Sequence, residues 1–423
     1  MDKFIIHGGK KLHGSITVSG AKNASLALMP ACLLTSGIST LSNTPRLNDV
    51  FTMMKLLQHL GVTSNFENHI LRLDTSNIIS QDAPYEYVKK MRASVYVLGP
   101  LLTRFGYAKV SLPGGCAWGP RPINLHLEAL KKMGAEIELS EGYIIAKSQG
   151  GRLNGTKINF DVPSVGATGN ILMAAVLANS VTEINNAATE PEIKNLTEFL
   201  IKMGAKIVGA GSNSLIIEGV DNLMPASIET IPDRIEAGTI LISAAITRGQ
   251  VELTNSNTTH LRSVLSKLED CGCQVETMED RVKLIANDFE INPVDVTTAV
   301  YPGFPTDMQA QWTALMCLAN GTSKITDTIY LDRFKHIPEL MRLGADINVN
   351  ENNAIVKGVK KLIGAKVMST DLRASASLVI AGLAAEGTTE VLRVYHLDRG
   401  YQRIEEKLTI LHADIQRVEG AEF

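Results

Sequence analysis

The sequence predicts an α/β fold built from six copies of one unit, and three observations carry that prediction. A marker, Gly followed by a small or apolar residue and then a polar strand, recurs at Gly61, Gly134, Gly204, Gly272 and Gly344, with His412 in the sixth place and spacings of 68 to 73 residues. Each repeat holds a stretch that is apolar nearly all round. The pattern of residues 4–18 matches that of residues 354–368, and only Glu419 to Phe423 follow the last strand, Ala413 to Val418, where earlier repeats continue for longer. A period near seventy exceeds the roughly 20–50 residues of solenoid units, and each copy has enough strand and helix to form a small α/β layer.

Within each unit the elements follow one order. An inner helix comes first: Ala24 to Leu34, Ala93 to Leu102, Ala167 to Ala178, Ala237 to Ile246, Ala310 to Leu318 and Ala374 to Ala384. Helices apolar on all sides are buried ones. A strand such as Lys324-Ile325-Thr326 follows, then an outer helix such as Asn195 to Met203 or Ile337 to Arg342, where apolar and charged residues alternate at helical spacing. The marker and further strands close the unit. Because residues 4–18 carry the pattern that the sixth unit lacks, the N-terminal strands are expected to complete it. That gives a continuous domain at 20–229 and a discontinuous one at 1–19 plus 230–423, three units each, with a cleft between them of the kind where small molecules bind.

Composition narrows the function. The chain has 423 residues, 45% hydrophobic and 20% charged, ordinary for a soluble protein of two or three domains. A net charge of −3 from 41 basic and 44 acidic residues gives no general field for nucleic acid. The N-terminus shows no signal core, and no run of about 18 apolar residues occurs. Secretion and membrane insertion are therefore not expected, and five scattered cysteines fit a reducing cytoplasm. Cys32 and Cys317 read as small core hydrophobes. Cys271-Gly272-Cys273 lies on the structural marker with no His pair nearby, so no metal site is expected. Walker A and dinucleotide-binding glycine motifs are absent.

Function is sought where the copies differ. From the residue before the strand to the marker, five units span 23 to 25 residues and the second spans 28. The excess falls in Leu112-Pro113-Gly114-Gly115-Cys116-Ala117-Trp118-Gly119-Pro120-Arg121-Pro122, which reads as a lid or nucleophile loop, or alternatively as a surface turn with an incidental thiol. Charged and polar groups also gather where the inner helices begin: Lys22-Asn23, Arg92, Ser164-Val165-Gly166, Asp233-Arg234, Asp307 and Asp371-Leu372-Arg373. Helix N-termini favour anions. Capping accounts best for Asp233 and Asp371. Lys22 and Arg92 oppose the dipole, so bound phosphate or carboxylate is the expected compensation. His126, near the long loop, reads as a helix-surface residue.

Six motifs in register along the whole chain resemble the enolpyruvyl transferase family, and within it the bacterial enzymes that act on UDP-N-acetylglucosamine. They are Gly20-Ala21-Lys22-Asn23-Ala24, the Cys116 loop ending in Arg121-Pro122, Ser164-Val165-Gly166-Ala167-Thr168, Phe304 to Gln311 around Asp307, Asp371 to Ser377, and His396 to Tyr401. The resemblance implies an inside-out α/β barrel, no metal or organic cofactor, and transfer of enolpyruvate from phosphoenolpyruvate to the sugar 3-hydroxyl with release of phosphate. That reaction is the first committed step of peptidoglycan synthesis, and so bears on cell-wall biogenesis, cell shape and cell division. It further implies Cys116 as proton donor to C3 and target of the epoxide fosfomycin, and Asp307 as the group that takes or orients the hydroxyl proton. Lys22, Arg121 and Arg399 would hold phosphoenolpyruvate, with Arg92, Arg333 and Arg373 assisting. Asn23, Arg121, Pro122, Ile123, Asn124, Leu125, Ser164, Val165, Gly166, Asp307 and Ile329 would line the sugar-nucleotide site.

Two positions depart from the family pattern: Val162 stands where a Lys is common and Asn124 where an Asp is common. Both bear on nucleotide affinity rather than reaction type, and Asn124 changes an ionised acceptor to an amide at a uridine or helix-cap position. The rival readings are a shikimate-3-phosphate enolpyruvyl transferase, and a non-catalytic repeat scaffold that binds a partner.

Overall fold

The structure, a computed structural model, describes residues 2–89, 91–112, 123–286 and 290–420. Its contacts divide the chain into a continuous unit, Gly20–Ile231, and a discontinuous unit, Met1–Ser19 with Pro232–Phe423. Each contains three four-stranded sheets, and all six sheets share one topology. A short edge strand runs parallel to a central strand, which pairs antiparallel with a third, which pairs antiparallel with a fourth. In the first sheet these are Ser227–Glu229, Ile38–Ser42, Ile70–Asp74 and Thr63–Glu67.

The edge strand always comes from outside its own unit's helices, and this closes each ring of three. In the continuous unit Ser227–Glu229 returns to the first sheet. In the discontinuous unit the closing strands are N-terminal: Lys3–His7 lies between Thr388–Leu392 and Asp414–Val418, and His13–Thr17 lies parallel to Gln250–Thr254. The strand completion expected for the sixth unit is thus seen in register, with Phe4 opposite both Val391 and Arg417.

The recurring glycine has a backbone cause. Gly61, Gly134, Gly204, Gly272 and Gly344 have φ between 89° and 107°, and His412 has φ 68°. Each sits just past an outer helix, in the left-handed conformation that glycine adopts without Cβ strain. Around Gly61 the bonds are Gly61 N–H to Gln58 O and Val62 N–H to Leu57 O; the same paired bonds occur at Gly204, Gly272, Gly344 and His412. Such a pair satisfies carbonyls that the helix end leaves open. His412 adopts the conformation without being glycine, and its ring stacks on His13 at 3.9 Å.

The inner helices span Lys22–Ala31, Leu98–Phe105, Val165–Ala175, Arg234–Ile246, Gln309–Met316 and Leu372–Ala384. Their side chains fill two cores, one within each unit. The second helix departs from the expected Ala93 to Leu102, because Arg92–Val97 is a 3₁₀ segment and the α-helix begins at Leu98. Pro100 is the cause: it has no N–H, and its ring would meet the carbonyl four residues earlier in a continuous α-helix. Close packing is strict here, since a Cβ on Gly99 would lie 2.4 Å from Asn170 Oδ1. Cys32, Cys271, Cys273 and Cys317 are all buried free thiols.

Candidate active site

In the discontinuous unit the three inner helices pack together, and an aspartate stands at the start of each. Asp233 caps its helix by accepting from Ile235 N–H and Glu236 N–H at 2.8 and 3.1 Å. Asp371 does the same for Arg373 N–H and Ala374 N–H at 2.9 and 3.1 Å. Capping was the expected role of both. Asp307 is different. It lies in the 3₁₀ turn Thr306–Met308, and its side chain makes no cap. Its carboxylate instead receives Arg333 Nη2 at 2.7 Å on one oxygen and Arg373 Nη2 at 2.8 Å on the other.

The electrostatics of this cluster are lopsided. Arg333 and Arg373 have side chains only 6% and 5% exposed, while that of Asp307 is 27% exposed. Burial disfavours the charge on Asp307, yet the two guanidinium groups outweigh it and hold the carboxyl well below the usual carboxylate range. The same attraction overcomes the burial of Arg373 and raises its pKa. Arg373 Nε and Nη1 are buried with no hydrogen-bond partner among the described residues. Its guanidinium lies 5.5 Å from the centroid of the Tyr401 ring, whose hydroxyl meets Thr239 Oγ1 and Gln311 Nε2 at 3.0 and 3.1 Å. Two cations on one carboxylate, with spare donors turned inward, make an anion-binding arrangement already occupied by the protein's own anion.

Arg399 ends the 3₁₀ segment Val394–Arg399, which packs on the helix that begins at Leu372. Its neighbour Asp398 is held by Arg417, with Nη1 at 2.9 Å. Ile329 follows Asp327 in a turn, where its N–H meets Asp327 Oδ1 at 2.9 Å. Arg333, Arg373 and Asp307 are therefore in direct contact, while Ile329 joins them through groups that the sequence had not singled out.

In the continuous unit, Lys22 opens its helix and pairs with Asp49 at 2.9 Å, the two side chains 12% and 5% exposed. Asp49, from the first turn of Asn48–His59, supplies Lys22 with a carboxylate of the protein's own. Arg92 is half-buried and Asn23 is exposed. Ser164 caps Val165–Ala175 by accepting from Ala167 N–H at 3.3 Å. Asn124 is the first residue of Asn124–Lys132, not its cap, and makes no capping bond; it is exposed, as is Val162. Cys116, Arg121 and Pro122 lie outside the described residues.

His126 is not on a helix surface. It is buried, and a Cβ on Gly166 would lie 3.1 Å from its Nε2, so the helix starts at 124 and 165 meet around this ring. Asn170 fixes its tautomer. Asn170 Oδ1 accepts Gly99 N–H at 2.7 Å, and Nδ2 donates to Val95 O at 3.0 Å and to His126 Nδ1 at 3.1 Å. With Nδ1 accepting, the proton is on Nε2. Burial, and then the charge of Arg92, lower the pKa of His126 to about 4. Ile123, Asn124, Leu125, Ser164, Val165 and Gly166 thus gather near Arg92 around a neutral histidine. The spacing of His126, Ala129, Leu130 and Met133, one buried helical face, was the signal that places this ring inward.

Comparison with known proteins bears on this geometry. The family model described as EPSP synthase (3-phosphoshikimate 1-carboxyvinyltransferase) matches residues 6–408. The chain is 57% identical over 424 residues to the UDP-N-acetylglucosamine 1-carboxyvinyltransferase of Chloroherpeton thalassium, covering 100% of this chain and 99% of that one. It is 56% identical to the protein of the same name from Chlorobium chlorochromatii, with full coverage of both. Among solved structures, the enolpyruvyl transferase NikO from Streptomyces tendae superposes with a TM-score of 0.89 at 24% identity over 99% of each chain. EPSP synthase from Acinetobacter baumannii superposes with a TM-score of 0.76 at 19% identity, over 99% of this chain and 100% of that one. These two likenesses show the enolpyruvyl transferase fold.

Proposed function

The chain belongs to the UDP-N-acetylglucosamine 1-carboxyvinyltransferase family, and from that membership we infer that it transfers the enolpyruvyl group of phosphoenolpyruvate to the 3-hydroxyl of UDP-N-acetylglucosamine, releasing phosphate. The observation that carries this reading is identity of 55–57% to relatives of that name along the full chain. The shikimate 3-phosphate alternative has weaker support: the EPSP synthase structure shares the fold at 19% identity.

The sugar O3 adds to C2 of phosphoenolpyruvate while C3 gains a proton, giving a tetrahedral ketal; loss of a proton from C3 and of phosphate from C2 then leaves the enol ether. We assign the proton at C3 to Cys116, because a free thiol, titrating near about 8.5, is protonated at neutral pH and can act as an acid. Asp307 takes or orients the proton of the sugar hydroxyl. Its two arginines hold it as a weak base, so an incoming phosphate or carboxylate that draws off Arg373 or Arg333 would free a lone pair and raise its basicity. Substrate binding and base activation are then one exchange of anions. Lys22, Arg121 and Arg399 clamp phosphoenolpyruvate. Arg92, Arg333 and Arg373 assist that clamp, and Asn23, Arg121, Pro122, Ile123, Asn124, Leu125, Ser164, Val165, Gly166 and Ile329 line the sugar-nucleotide site. We assign the activity to the cytoplasm and to the first committed step of peptidoglycan synthesis; no helix among the described residues is long and apolar enough to cross a membrane.

The test is phosphate release with both substrates and with each omitted. Release that needs both phosphoenolpyruvate and UDP-N-acetylglucosamine supports the reading. Release with shikimate 3-phosphate in place of the sugar nucleotide would overturn it.

A further inference from the structure

The residue that follows the central strand is the same in three of the six sheets. Asn43, Asn186 and Asn255 all have φ between 52° and 56°. Each donates its amide to the carbonyl just past its parallel edge strand: Asn43 to Thr230 O at 2.8 Å, Asn186 to Phe160 O at 2.9 Å, and Asn255 to Val18 O at 2.9 Å. This is a scaffold device, an asparagine that ties the strand end to the edge. In the fifth sheet the position is Asp327, after Thr322–Thr326, and the residue past the edge strand is Thr298.

A carboxylate cannot donate, so the tie reverses. Thr298 Oγ1 donates to Asp327 Oδ1 at 2.9 Å, and the N–H groups of Ile329 and Tyr330 reach the same oxygen, each at 2.9 Å. The second oxygen, Oδ2, accepts Thr306 Oγ1 at 2.7 Å. Asp327 is fully buried. Its negative charge is met by four hydrogen-bond donors.

The Thr306 hydroxyl has one proton, and Asp327 takes it. Its lone pair therefore receives Arg333 Nη1, at 2.7 Å, while Arg333 Nη2 holds Asp307 at 2.7 Å. Asp327, Thr306, Arg333 and Asp307 form one directed chain. The same carboxylate also sets the turn that carries Ile329. One buried residue thus fixes both the arginine that governs Asp307 and the backbone of a sugar-nucleotide position.

We propose that Asp327 is a positioning residue for carboxyvinyl transfer: it replaces a scaffold asparagine in order to lock Thr306, and through Thr306 the Arg333 fork, onto Asp307. The proposal rests on the transferase reading above.

Asp327→Asn separates the two roles. Asparagine has nearly the shape of aspartate, so the substitution changes hydrogen-bonding capacity and leaves the packing volume in place. Its amide oxygen keeps the Ile329 turn, but its amide nitrogen cannot accept the Thr306 hydroxyl, so only the link to Arg333 is lost. Misplacing a reacting group by about 1 Å costs on the order of 100-fold in rate, so phosphate-release kinetics should show kcat lowered about 10- to 100-fold. KM for UDP-N-acetylglucosamine should stay within about threefold, because the Ile329 turn is kept. Thr306→Val should reproduce the loss, Thr306→Ser should keep most of the turnover, and the Asp327→Asn/Thr306→Val double variant should be little worse than either single one. A kcat for Asp327→Asn within twofold of wild type, or a lowered melting temperature with normal kcat, overturns the proposal. A wild-type protein that releases no phosphate from the two substrates removes the transferase reading itself, and the proposal with it.

Discussion

Removing the carboxylate of Asp307 should destabilise the protein, and inorganic phosphate should repair the damage. In wild type the carboxylate bridges Arg333 and Arg373 at 2.7 and 2.8 Å. Asp307→Ala leaves Arg333 its Thr306 bond but takes from Arg373 the one carboxylate partner it has among the described residues. Breaking a fully buried pair costs about 3–5 kcal/mol. The Asp307 side chain is 27% exposed, so water reaches the vacated groups and about 2–3 kcal/mol is expected. With a urea m value of about 2–3 kcal/mol/M, that is a midpoint lowered by roughly 1 M. The pH dependence has a definite sign. The folded carboxyl titrates well below its ordinary 3.8, so its contribution is fully present above about pH 4 to 5 and lost only as pH falls through the folded value. The deficit of the variant should therefore be constant from pH 5 to neutrality. Phosphate can fill the vacancy, and at about 100 times its Kd it returns about 2.7 kcal/mol. The assay is urea unfolding by circular dichroism, with and without phosphate, for both proteins. A variant as stable as wild type, or phosphate stabilisation equal in the two, refutes the picture of Asp307 as an internal anion. Turnover of the variant should fall by about 100-fold or more.

A second expectation concerns acid. Because His126 is held neutral to about pH 4, the unfolded chain takes up its proton first as pH falls from about 6.5, and stability drops by about 1.4 kcal/mol per pH unit over that window. His126→Gln should flatten this slope in urea titrations, and an unchanged slope would count against the buried-tautomer assignment. Thiol chemistry should be confined to one residue. Burial pushes Cys32, Cys273 and Cys317 up to about 12 and raises Cys271 further, so an epoxide mimic of phosphoenolpyruvate should add once per chain, on Cys116, and Cys116→Ser should lose both adduct and most turnover. Mass spectrometry that finds the adduct on Cys271 would contradict this. Gly344→Ala tests the origin of the repeat marker. A Cβ there meets nothing within 4 Å, so the cost is that of φ 92° alone, about 1–2 kcal/mol in thermal unfolding, and a neutral effect would be contrary evidence.

The periodic elements were readable because each has a local cause. A left-handed residue after a helix selects glycine, and an all-apolar helix can only be interior. The pattern match between residues 4–18 and 354–368 worked for the same reason, since an alternating strand faces the same environment in every copy. What escaped were partnerships made across loops. Nothing in the sequence around Lys22 announces Asp49, because the two helix starts meet only after folding. His126 had a legible signal in its helical spacing. Asp327 also had one: it stands in register with Asn43, Asn186 and Asn255, and the change from amide to acid at that place is legible in the sequence. Its meaning is not, because it depends on the Thr306 hydroxyl lying within 2.7 Å. The loop that carries Cys116 stood out only by its excess length, and its assigned chemistry came from resemblance.

The strand Lys3–His7 pairs on both sides with segments near the other end of the chain, Lys3 opposite Leu392 and Val418. During synthesis it therefore leaves the ribosome long before either partner exists. The continuous unit has its last strand by Glu229 and can assemble while the remainder is being made. The other unit cannot: a middle strand of its sixth sheet is made first and must wait unpaired until Thr388–Leu392 and Asp414–Val418 follow. The waiting segment is only five residues long and carries Lys3 and His7 at its two ends, which limits its capacity to pair with neighbouring nascent chains. Translation order thus makes one half of the molecule a template-free folding problem and the other a problem of timing.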